Sequence, residues 1–257
     1  MDKKLINKVA LVTGGVNGIG KSISEIFAKN GSQVIVIDID ENYNGSTCDK
    51  NIEYLRFDVS VENNWIKIID YIRKKYKKLN ILVNNAATNG FKYNQDPENM
   101  SLEVWEHIHR INLTSIFLGC KYSIKIMKEN NKNCSIINMA SRSGIVGVPN
   151  LSAYASSKAA IRNYTKSVAL YCAQKEYNIR CNTISAAAID TRIWDHIKQN
   201  RNKFKLFLDS LPLKKMGDVK EVAHAALYLA SDASLYSTAS EIIIDGGILS
   251  TGIGLPR

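Results

Sequence analysis

The chain has 257 residues, of which 45% are hydrophobic, and this length and composition fit one α/β domain with a sizeable core. The 34 lysines and arginines exceed the 24 acidic residues by ten, but the lysines are spread along the chain, which disfavours nucleic-acid binding and favours an anionic or carrier-bound ligand. No stretch approaches the ~20 consecutive apolar residues of a membrane span, and the first residues form no apolar signal segment. We therefore expect a cytoplasmic protein that does not bind a membrane.

The cysteines are scattered and odd in number. They show neither the paired spacing of a zinc site nor a C-x-x-C motif, which predicts reduced thiols with structural roles and no metal site. These cysteines are Cys48, Cys120, Cys134, Cys172 and Cys181.

The chain begins with a strand, a glycine-rich turn, a helix and a second strand. Residues 8–13 are a short apolar run suited to a buried strand. Residues 22–30 carry apolar side chains at helical spacing, and Gly31 ends that helix. The second strand, residues 33–37, leads to Asp38. This order and length are typical of a βαβ unit.

The glycine turn has the spacing Gly14-x-x-x-Gly18-x-Gly20. Such glycines let the backbone approach a pyrophosphate, and the N-terminus of the next helix offers it unpaired N–H groups. Asp38 lies ~20 residues further on, where a carboxylate can accept hydrogen bonds from the adenosine ribose. The alternatives are a structural strand-to-helix turn and an Asp that only ends a strand.

Strands and helices alternate through the rest of the chain. The further predicted strands are residues 52–57, 80–84, 134–139, 179–184 and 241–245, and the further helices are residues 61–78, 101–130, 152–174 and 219–230. This alternation predicts a parallel sheet covered by helices on both faces. No repeat or long linker divides the chain.

Tyr154 and Lys158 lie four residues apart in a predicted helix, so their side chains share one face. A free tyrosine has a pKa near 10, too high for a base at neutral pH. A nearby ammonium favours the phenolate and lowers that pKa, which makes an acid/base group for an alcohol or ketone oxygen. The alternative is an ordinary solvated helix face.

Other polar residues lie at or just past predicted strand ends. They are Asp38, Asp58, Asn85 and Ser141. Ligands of open parallel sheets bind beyond the carboxyl ends of the strands. The sequence therefore predicts a site at that edge of the sheet.

Together these residues resemble the classical short-chain dehydrogenase/reductase family, from about residue 5 to residue 247. The matching motifs are Thr13-Gly14-Gly15-Val16-Asn17-Gly18-Ile19-Gly20, Asp58-Val59, Asn84-Asn85-Ala86-Ala87, the set Asn112, Ser141, Tyr154 and Lys158, and Asp245-Gly246-Gly247. The resemblance implies a Rossmann-like, doubly wound parallel sheet in a three-layer α/β/α single domain over residues 1–257.

The resemblance also implies roles for individual residues. Tyr154 exchanges the hydroxyl proton and Ser141 hydrogen-bonds the substrate oxygen. Lys158 lowers the tyrosine pKa and bonds the nicotinamide ribose, and Asn112 holds a water in a proton relay. Asn112 lies within a predicted helix, where the alternative is a solvent-facing side chain. The residues expected to bind the cofactor are Gly14, Asn17, Gly18, Ile19, Gly20, Asp38, Ile39, Asp58, Val59, Asn85, Ala86, Tyr154, Lys158, Ile189 and Thr191.

Three segments depart from the family pattern, the first by Ala87 in place of the usual Gly of the Asn-Asn-Ala-Gly strand end. Ala186-Ala187 replaces the usual Pro-Gly, which removes a rigid φ and easy access to φ > 0, so we expect altered nicotinamide binding there. Ser237-Thr238-Ala239 replaces Ile-Thr-Gly.

The implied function is an oxidoreductase that interconverts a secondary alcohol and a ketone by hydride transfer. We expect NAD(H) rather than NADP(H), because Asp38 would repel a 2′-phosphate and neither Val16 nor Asn17 brings a cation. The alternatives are an inactive nucleotide-binding or scaffold protein and a 3-oxoacyl-thioester reductase.

Two expectations concern larger segments. The resemblance implies a homotetramer, with pairing surfaces on the helix of residues 152–174 and on the last strand with the tail of residues 248–255. Residues 189–212 are expected to form a mobile lid over the substrate. The alternative is a core helix that buries the apolar stripe permanently. That stripe consists of Ile193, Trp194, Ile197, Phe204, Phe207 and Leu208.

Overall fold

The computed structural model describes residues 3–40, 49–130 and 132–251, and one sheet of seven parallel strands runs through them. The strands are β1 (Val9–Thr13), β2 (Gln33–Asp38), β3 (Ile52–Arg56), β4 (Ile81–Asn84), β5 (Cys134–Ser141), β6 (Ile179–Ala186) and β7 (Glu241–Ile244). Their order is β3-β2-β1-β4-β5-β6-β7. The chain reverses its direction of travel across the sheet between β1 and β4, and such a switch point opens a crevice for ligands.

Helices cover both faces of the sheet. They are α1 (Gly18–Lys29), α2 (Glu62–Tyr76), α3 (Leu102–His109), α4 (Ser115–Met127), α5 (Ser152–Gln174), α6 (Asp195–Lys198), α7 (Arg201–Ser210) and α8 (Val219–Ala230). Helices α1 and α8 pack on one face, with Phe27 and Val222 in the core. Helices α2, α4 and α5 pack on the other, with Trp65 and Ile161. The predicted three-layer, doubly wound single domain is confirmed. None of these helices combines the length and apolar character needed to cross a membrane.

The long helix predicted over residues 101–130 is interrupted. Helix α3 passes into a wider, π-helical turn, Arg110–Thr114, before α4 begins, and a short 3₁₀ turn carries the chain to Asn130. A π-helical turn fits one extra residue into a helix and is frequent at functional sites. The interruption places Asn112 inside the wide turn, where its side chain is buried.

A polar cluster lies in the core beneath the central strands. Asn84 donates to the Asn138 Oδ1 at 2.8 Å, and the Asn138 amide donates to the Thr165 hydroxyl at 3.0 Å. The Cys120 and Cys181 sulfurs lie against the same amides. Paired in this way, the buried amides avoid the cost of unsatisfied polar groups.

The four cysteines within the described ranges are unpaired and buried, and Cys48 lies outside those ranges. Burial raises the pKa of the Cys134 and Cys172 thiols to about 11 in each case. These thiols are therefore protonated at neutral pH and act as small apolar groups.

Candidate active site

A cleft of about 470 Å³ opens at the carboxyl ends of β1, β4, β5 and β6. It brings together nine of the residues that the sequence predicts for a site. They are Asn17, Gly18, Ile19, Asn85, Ser141, Tyr154, Lys158, Ile189 and Thr191. The glycine turn and the Tyr154 helix thus face one space although about 140 residues separate them.

The other predicted residues lie outside the cleft wall. They are Gly14, Gly20, Asp38, Ile39, Asp58, Val59, Ala86 and Asn112. Asp38 ends β2 and Asp58 follows β3, so both lie along the same sheet edge, on the far side of the glycine turn from Tyr154. Ile39 and Asp58 are exposed there, whereas Val59 is buried and its carbonyl accepts a hydrogen bond from the Trp65 indole.

Close packing requires glycine in the turn. Gly14 and Gly18 have φ values of 64° and 53°, a left-handed conformation that glycine adopts without strain. A Cβ on Gly20 would lie 2.1 Å from the Gly14 carbonyl oxygen. The Thr191 methyl lies over Gly18. The turn is therefore held tightly between the start of α1 and the segment after β6.

Asn85 fixes the turn to the neighbouring strand. Its amide nitrogen donates to the Thr13 and Gly14 carbonyls at 3.1 and 2.9 Å. The Thr13 hydroxyl accepts from the backbone N–H groups of Asn85 and Ala86 at 3.0 and 3.1 Å. These contacts join the ends of β1 and β4 at the switch point.

The first turn of α1 has no side-chain cap. Asn17 occupies the N-cap position but accepts no capping hydrogen bond, and the first turn carries no acidic residue. The Asn17 Nδ2 instead donates a hydrogen bond to Asp40 Oδ2 at 3.3 Å. The N–H groups of the first helical turn are left available to an anion, which the positive end of the helix dipole also favours.

Asp38 is held at the rim of the turn. One carboxylate oxygen accepts the Val16 N–H at 3.2 Å, and the other accepts the N–H groups of Ile39 and Asp40 at 2.8 and 3.3 Å. In the sheet, Arg56 on β3 is the register partner of Asp38. The predicted carboxylate is thus fixed in place by backbone donors.

Ser141 and Tyr154 meet at the centre of the cleft. Ser141 ends β5 and accepts the Ser143 N–H at 3.2 Å. Burial raises the pKa of Tyr154, and its hydrogen bond with Ser141 partly opposes this rise. The tyrosine is therefore a neutral phenol in this structure.

Lys158 lies beside Tyr154, but burial of the tyrosine opposes the lowering of its pKa that the sequence suggested. Its ammonium lies 5.8 Å from the centre of the Tyr154 ring and donates to the Met139 carbonyl at 3.0 Å. Because the ammonium is buried without a carboxylate, its own pKa falls to about 8. Burial, which residue spacing does not reveal, outweighs the expected lowering of the tyrosine pKa.

Asn112 is fully buried, so the solvent-facing alternative is wrong. Its Oδ1 accepts the Thr88 N–H at 2.8 Å, and its Nδ2 donates to the Thr88 carbonyl at 2.9 Å and to the Ser157 hydroxyl at 3.1 Å. The Asn112 side chain therefore joins the segment after β4 to α5. Its partner on α5, Ser157, directly precedes Lys158 in the sequence. The part of Asn112 in a proton relay stays a prediction.

The altered turn after β6 is strained one residue later than expected. Ala188, not Ala187, has a positive φ, at 50°. Ala187 instead donates its N–H to the Ile244 carbonyl at 3.0 Å, continuing the pairing with β7. Ala239, at the family's usual glycine, also has a positive φ, at 56°.

The predicted lid segment forms short helices beside the cleft. A 3₁₀ turn, Arg192–Trp194, precedes α6 and α7, and the Trp194 ring stacks on Phe207 with centroids 4.7 Å apart. Ile193 and Trp194 line the cleft. The apolar stripe has no buried member, so the core-helix alternative is wrong. Mobility of the segment stays a prediction.

Sequence reasoning missed two residues next to the site. Gln95 is buried, and its Oε1 accepts the Tyr154 N–H at 3.1 Å while its carbonyl accepts the Ser152 hydroxyl at 2.7 Å. It caps α5, whose N-cap residue Leu151 provides no side-chain bond. Arg142, just after Ser141, lies in the cleft wall. No sequence pattern indicates that Gln95 lies next to the site. Arg142 could have been found only because it directly follows Ser141.

The chain is similar to several known proteins over most of its length. A family model described as enoyl-(acyl carrier protein) reductase matches residues 14–249. The NADP-dependent (R)-specific alcohol dehydrogenase of Lentilactobacillus kefiri is 34% identical over 96% of this chain and 98% of its own length. The cyclopentanol dehydrogenase of Comamonas testosteroni is 34% identical over 94% and 96%, respectively. Glucose 1-dehydrogenase 2 of Bacillus subtilis is 33% identical over 96% and 97%.

These relatives span nearly the whole chain, and the family model covers both the glycine turn and the cleft. The fold agrees with them, since the sheet is parallel, doubly wound and seven-stranded. The chain therefore belongs to the short-chain dehydrogenase/reductase family of oxidoreductases.

Proposed function

We propose that the protein is an NAD(H)-dependent dehydrogenase that interconverts a secondary alcohol and a ketone. The observation that carries this proposal is the meeting of Tyr154, Ser141 and Lys158 with the glycine turn in one cleft. Relatives named for their action on alcohols, cyclopentanol and glucose support a CH–OH substrate.

The site fits a nicotinamide dinucleotide, which would supply the hydride acceptor or donor when bound. The uncapped first turn of α1 suits its pyrophosphate, because free N–H groups and the helix dipole meet there. Gly14 and Gly20 let the turn pack directly against the backbone of Ala86 and of Gly14, which a Cβ at either position would prevent. Asp38, Ile39, Asp58 and Val59 would hold the adenosine half, and Asn85, Ala86, Lys158, Ile189 and Thr191 the nicotinamide half.

The chain's own residues would handle the proton. Tyr154, a neutral phenol because of its burial, would give its proton to the oxygen of a ketone being reduced. The Ser141 hydroxyl would donate a hydrogen bond to the same oxygen and stabilise negative charge there. The Lys158 ammonium would lie near the Tyr154 ring. Asn112 would hold the backbone of Thr88 and the side chain of Ser157 in place around the site.

Asp38 and Asp40 support NAD(H). Both carboxylates lie beside the glycine turn, where Asp38 contacts Val16 N and Asp40 contacts Asn17 Nδ2. A 2′-phosphate there would meet like charge. Within the described residues, Arg56 opposite Asp38 favours NADP(H), and the Lentilactobacillus kefiri relative is named as NADP-dependent. Steady-state kcat/KM measured with NAD(H) and with NADP(H) tests this preference. Asp38→Ala should reduce the difference in kcat/KM between the two cofactors.

Tyr154→Phe tests the mechanism. It keeps the ring but removes the proton donor, so turnover should fall at least 10³-fold, within the usual range for a lost acid/base group, while NADH still binds. NADH fluorescence measures binding, and a panel of alcohols, hydroxy acids, diols, sugars, steroids and an acyl thioester measures turnover. Wild-type rates in Tyr154→Phe would overturn the mechanism, and NADH binding without any wild-type turnover would favour an inactive nucleotide-binding protein.

Reduction of a 3-oxoacyl thioester is the second candidate. The family model is described by an acyl-carrier substrate, and the excess of ten positive charges suits an acidic carrier. The thioester in the panel separates the two candidates, since it should be a poor substrate if the first is right.

A further inference from the structure

Charge is distributed unevenly around the cleft. Its walls contain three cationic residues, Arg142, Lys158 and Arg192, and no aspartate or glutamate from the part of the chain that the structure describes. In a partly desolvated cleft, unbalanced positive charge attracts anions strongly. The bound molecules should therefore bring negative charge in more than one place.

Two of the three cations lie next to residues that we expect to bind the cofactor. Lys158 is buried on the Met139 carbonyl beside Tyr154. Arg192 follows Thr191, whose methyl lies against Gly18 at the start of α1, where the pyrophosphate is expected. We therefore assign these two cations to the cofactor.

Arg142 is the third cation of the cleft wall. It begins the 3₁₀ turn Arg142–Gly144, directly after Ser141, and this turn is held by the Ser143 N–H to Ser141 Oγ contact of 3.2 Å. Arg142 is half-buried, and its guanidinium has no hydrogen-bond or ion-pair partner among residues 3–40, 49–130 and 132–251. A planar fork of five donors without an acceptor is suited to a carboxylate.

Part of the cleft wall is apolar. Val148, Leu151, Phe91 and Trp194 line the same cleft. A short hydrocarbon body would pack among them, with its oxygen at Ser141 and Tyr154. The reacting oxygen and the charged group would then be bound by neighbouring residues, since Arg142 directly follows Ser141.

We propose that the substrate is a hydroxy or oxo carboxylate, and that Arg142 binds its carboxylate while Ser141 and Tyr154 bind the reacting oxygen. This inference rests on the proposed dehydrogenase activity and adds the substrate class to it. Arg142 is a specificity residue in this assignment.

Matched substrates test the proposal. We expect kcat/KM for 3-hydroxybutyrate to exceed that for its methyl ester at least tenfold, mainly through KM. Arg142→Gln should reduce this acid-to-ester ratio at least tenfold, and Arg142→Lys should keep part of it because the charge remains without the fork. Arg73→Gln removes the same charge from an exposed position on α2, away from the cleft, and should leave the ratio unchanged.

A binding measurement separates failure of this inference from failure of the proposed activity. Calorimetry with the NADH complex should show butyrate, which has no hydroxyl to oxidise, binding at least tenfold more tightly than butanamide, and Arg142→Gln should remove the difference. Equal binding of the two probes, or an acid-to-ester ratio that Arg142→Gln does not change, would overturn the assignment. Tight butyrate binding without turnover of any alcohol would instead overturn the dehydrogenase proposal.

Discussion

Lys158 is 3% exposed, and its ammonium is held by the Met139 carbonyl. In the unfolded chain its pKa is near 10.5, whereas in the folded protein it is about 8. Between these values the unfolded chain binds a proton that the folded protein does not, so this group makes stability rise with pH in that window and penalises folding below it. An enzyme accepts such a cost when the cation is needed for ligands.

Lys158→Met should therefore stabilise the cofactor-free protein at pH 7 while abolishing turnover. As pH rises from 8 to 10.5, the free energy of unfolding of the wild type should increase by about 3 kcal/mol relative to that of Lys158→Met, which removes the difference between the two proteins. Urea unfolding of both proteins across that range measures it. Lys67→Met, which removes an exposed ammonium from α2, is the control and should follow the wild type. An unfolding difference that does not depend on pH would contradict the buried-charge account.

At the scale of elements, two alanines adopt a conformation that suits glycine. Ala188 and Ala239 have φ values of 50° and 56°. Such a conformation costs a residue with a Cβ roughly 1–2 kcal/mol. Both lie in connections between paired backbone segments: the Ala188 carbonyl accepts the Gly217 N–H, and the Ala239 N–H donates to the Cys181 carbonyl.

Ala188→Gly and Ala239→Gly should each raise the free energy of unfolding by about 1 kcal/mol, since the relief of strain exceeds the added entropy of the unfolded chain. Chemical denaturation measures both. Ala159→Gly, at an exposed position within α5, should lower it by a similar amount. If all three substitutions destabilise equally, the two connections are not strained.

The segment of residues 189–212 is a second case at this scale. We propose that it moves as a lid, because its apolar stripe stays partly exposed and only short helices form in it. Limited trypsin digestion should cut first near Lys198, Arg201 or Lys203 in the cofactor-free protein and slow once cofactor and substrate bind. Equal digestion in both states would refute closure.

Trp194→Ala should change substrate preference more than cofactor affinity, because Trp194 lines the cleft and stacks on Phe207. Specificity ratios for two alcohols of different size, set against NADH affinity, measure the effect. Trp105→Ala removes an exposed indole from α3 and should change neither quantity. A larger loss of NADH affinity than of specificity would contradict the lid role.

At the scale of the molecule, exposed apolar side chains lie on two separate surfaces. Leu170 and Phe117 lie on α5 and α4, and Ile243 lies on β7, the last strand of the sheet, with Tyr236 nearby in sequence. Large exposed apolar groups gathered in this way mark interaction surfaces. We propose that the two surfaces each pair with a second copy and build a tetramer; residues 252–255 of the predicted tail lie outside the described ranges.

Light scattering should show a tetramer at micromolar concentration. Leu170→Glu or Ile243→Lys should each block one surface and leave a dimer, and the double variant should be a monomer. Leu206→Glu, exposed on α7 outside both surfaces, is the control. A monomeric wild type would refute the proposal.

The sequence predicts the architecture because the alternation of apolar strands and helices admits few arrangements, and strand ends place Asp38, Asn85 and Ser141 at one edge. It does not reveal contacts between distant residues. Gln95 caps the helix of Tyr154 across 59 residues, and Asn112 reaches Thr88 and Ser157 from a turn that helical periodicity hides. The sequence also does not reveal protonation states, because the pKa of Lys158 depends on burial, which exists only in the folded chain.

The buried thiols have a practical consequence. A thiol reacts as its thiolate, and burial raises the pKa of Cys134, at the start of β5, and of Cys172, near the end of α5, to about 11. At neutral pH an alkylating reagent should therefore label each of them only while its surroundings are open. Mass spectrometry of the two labelled peptides at successive times would measure separately how fast the central sheet opens and how fast the Tyr154 helix opens. The native chain thus carries two internal reporters of local unfolding.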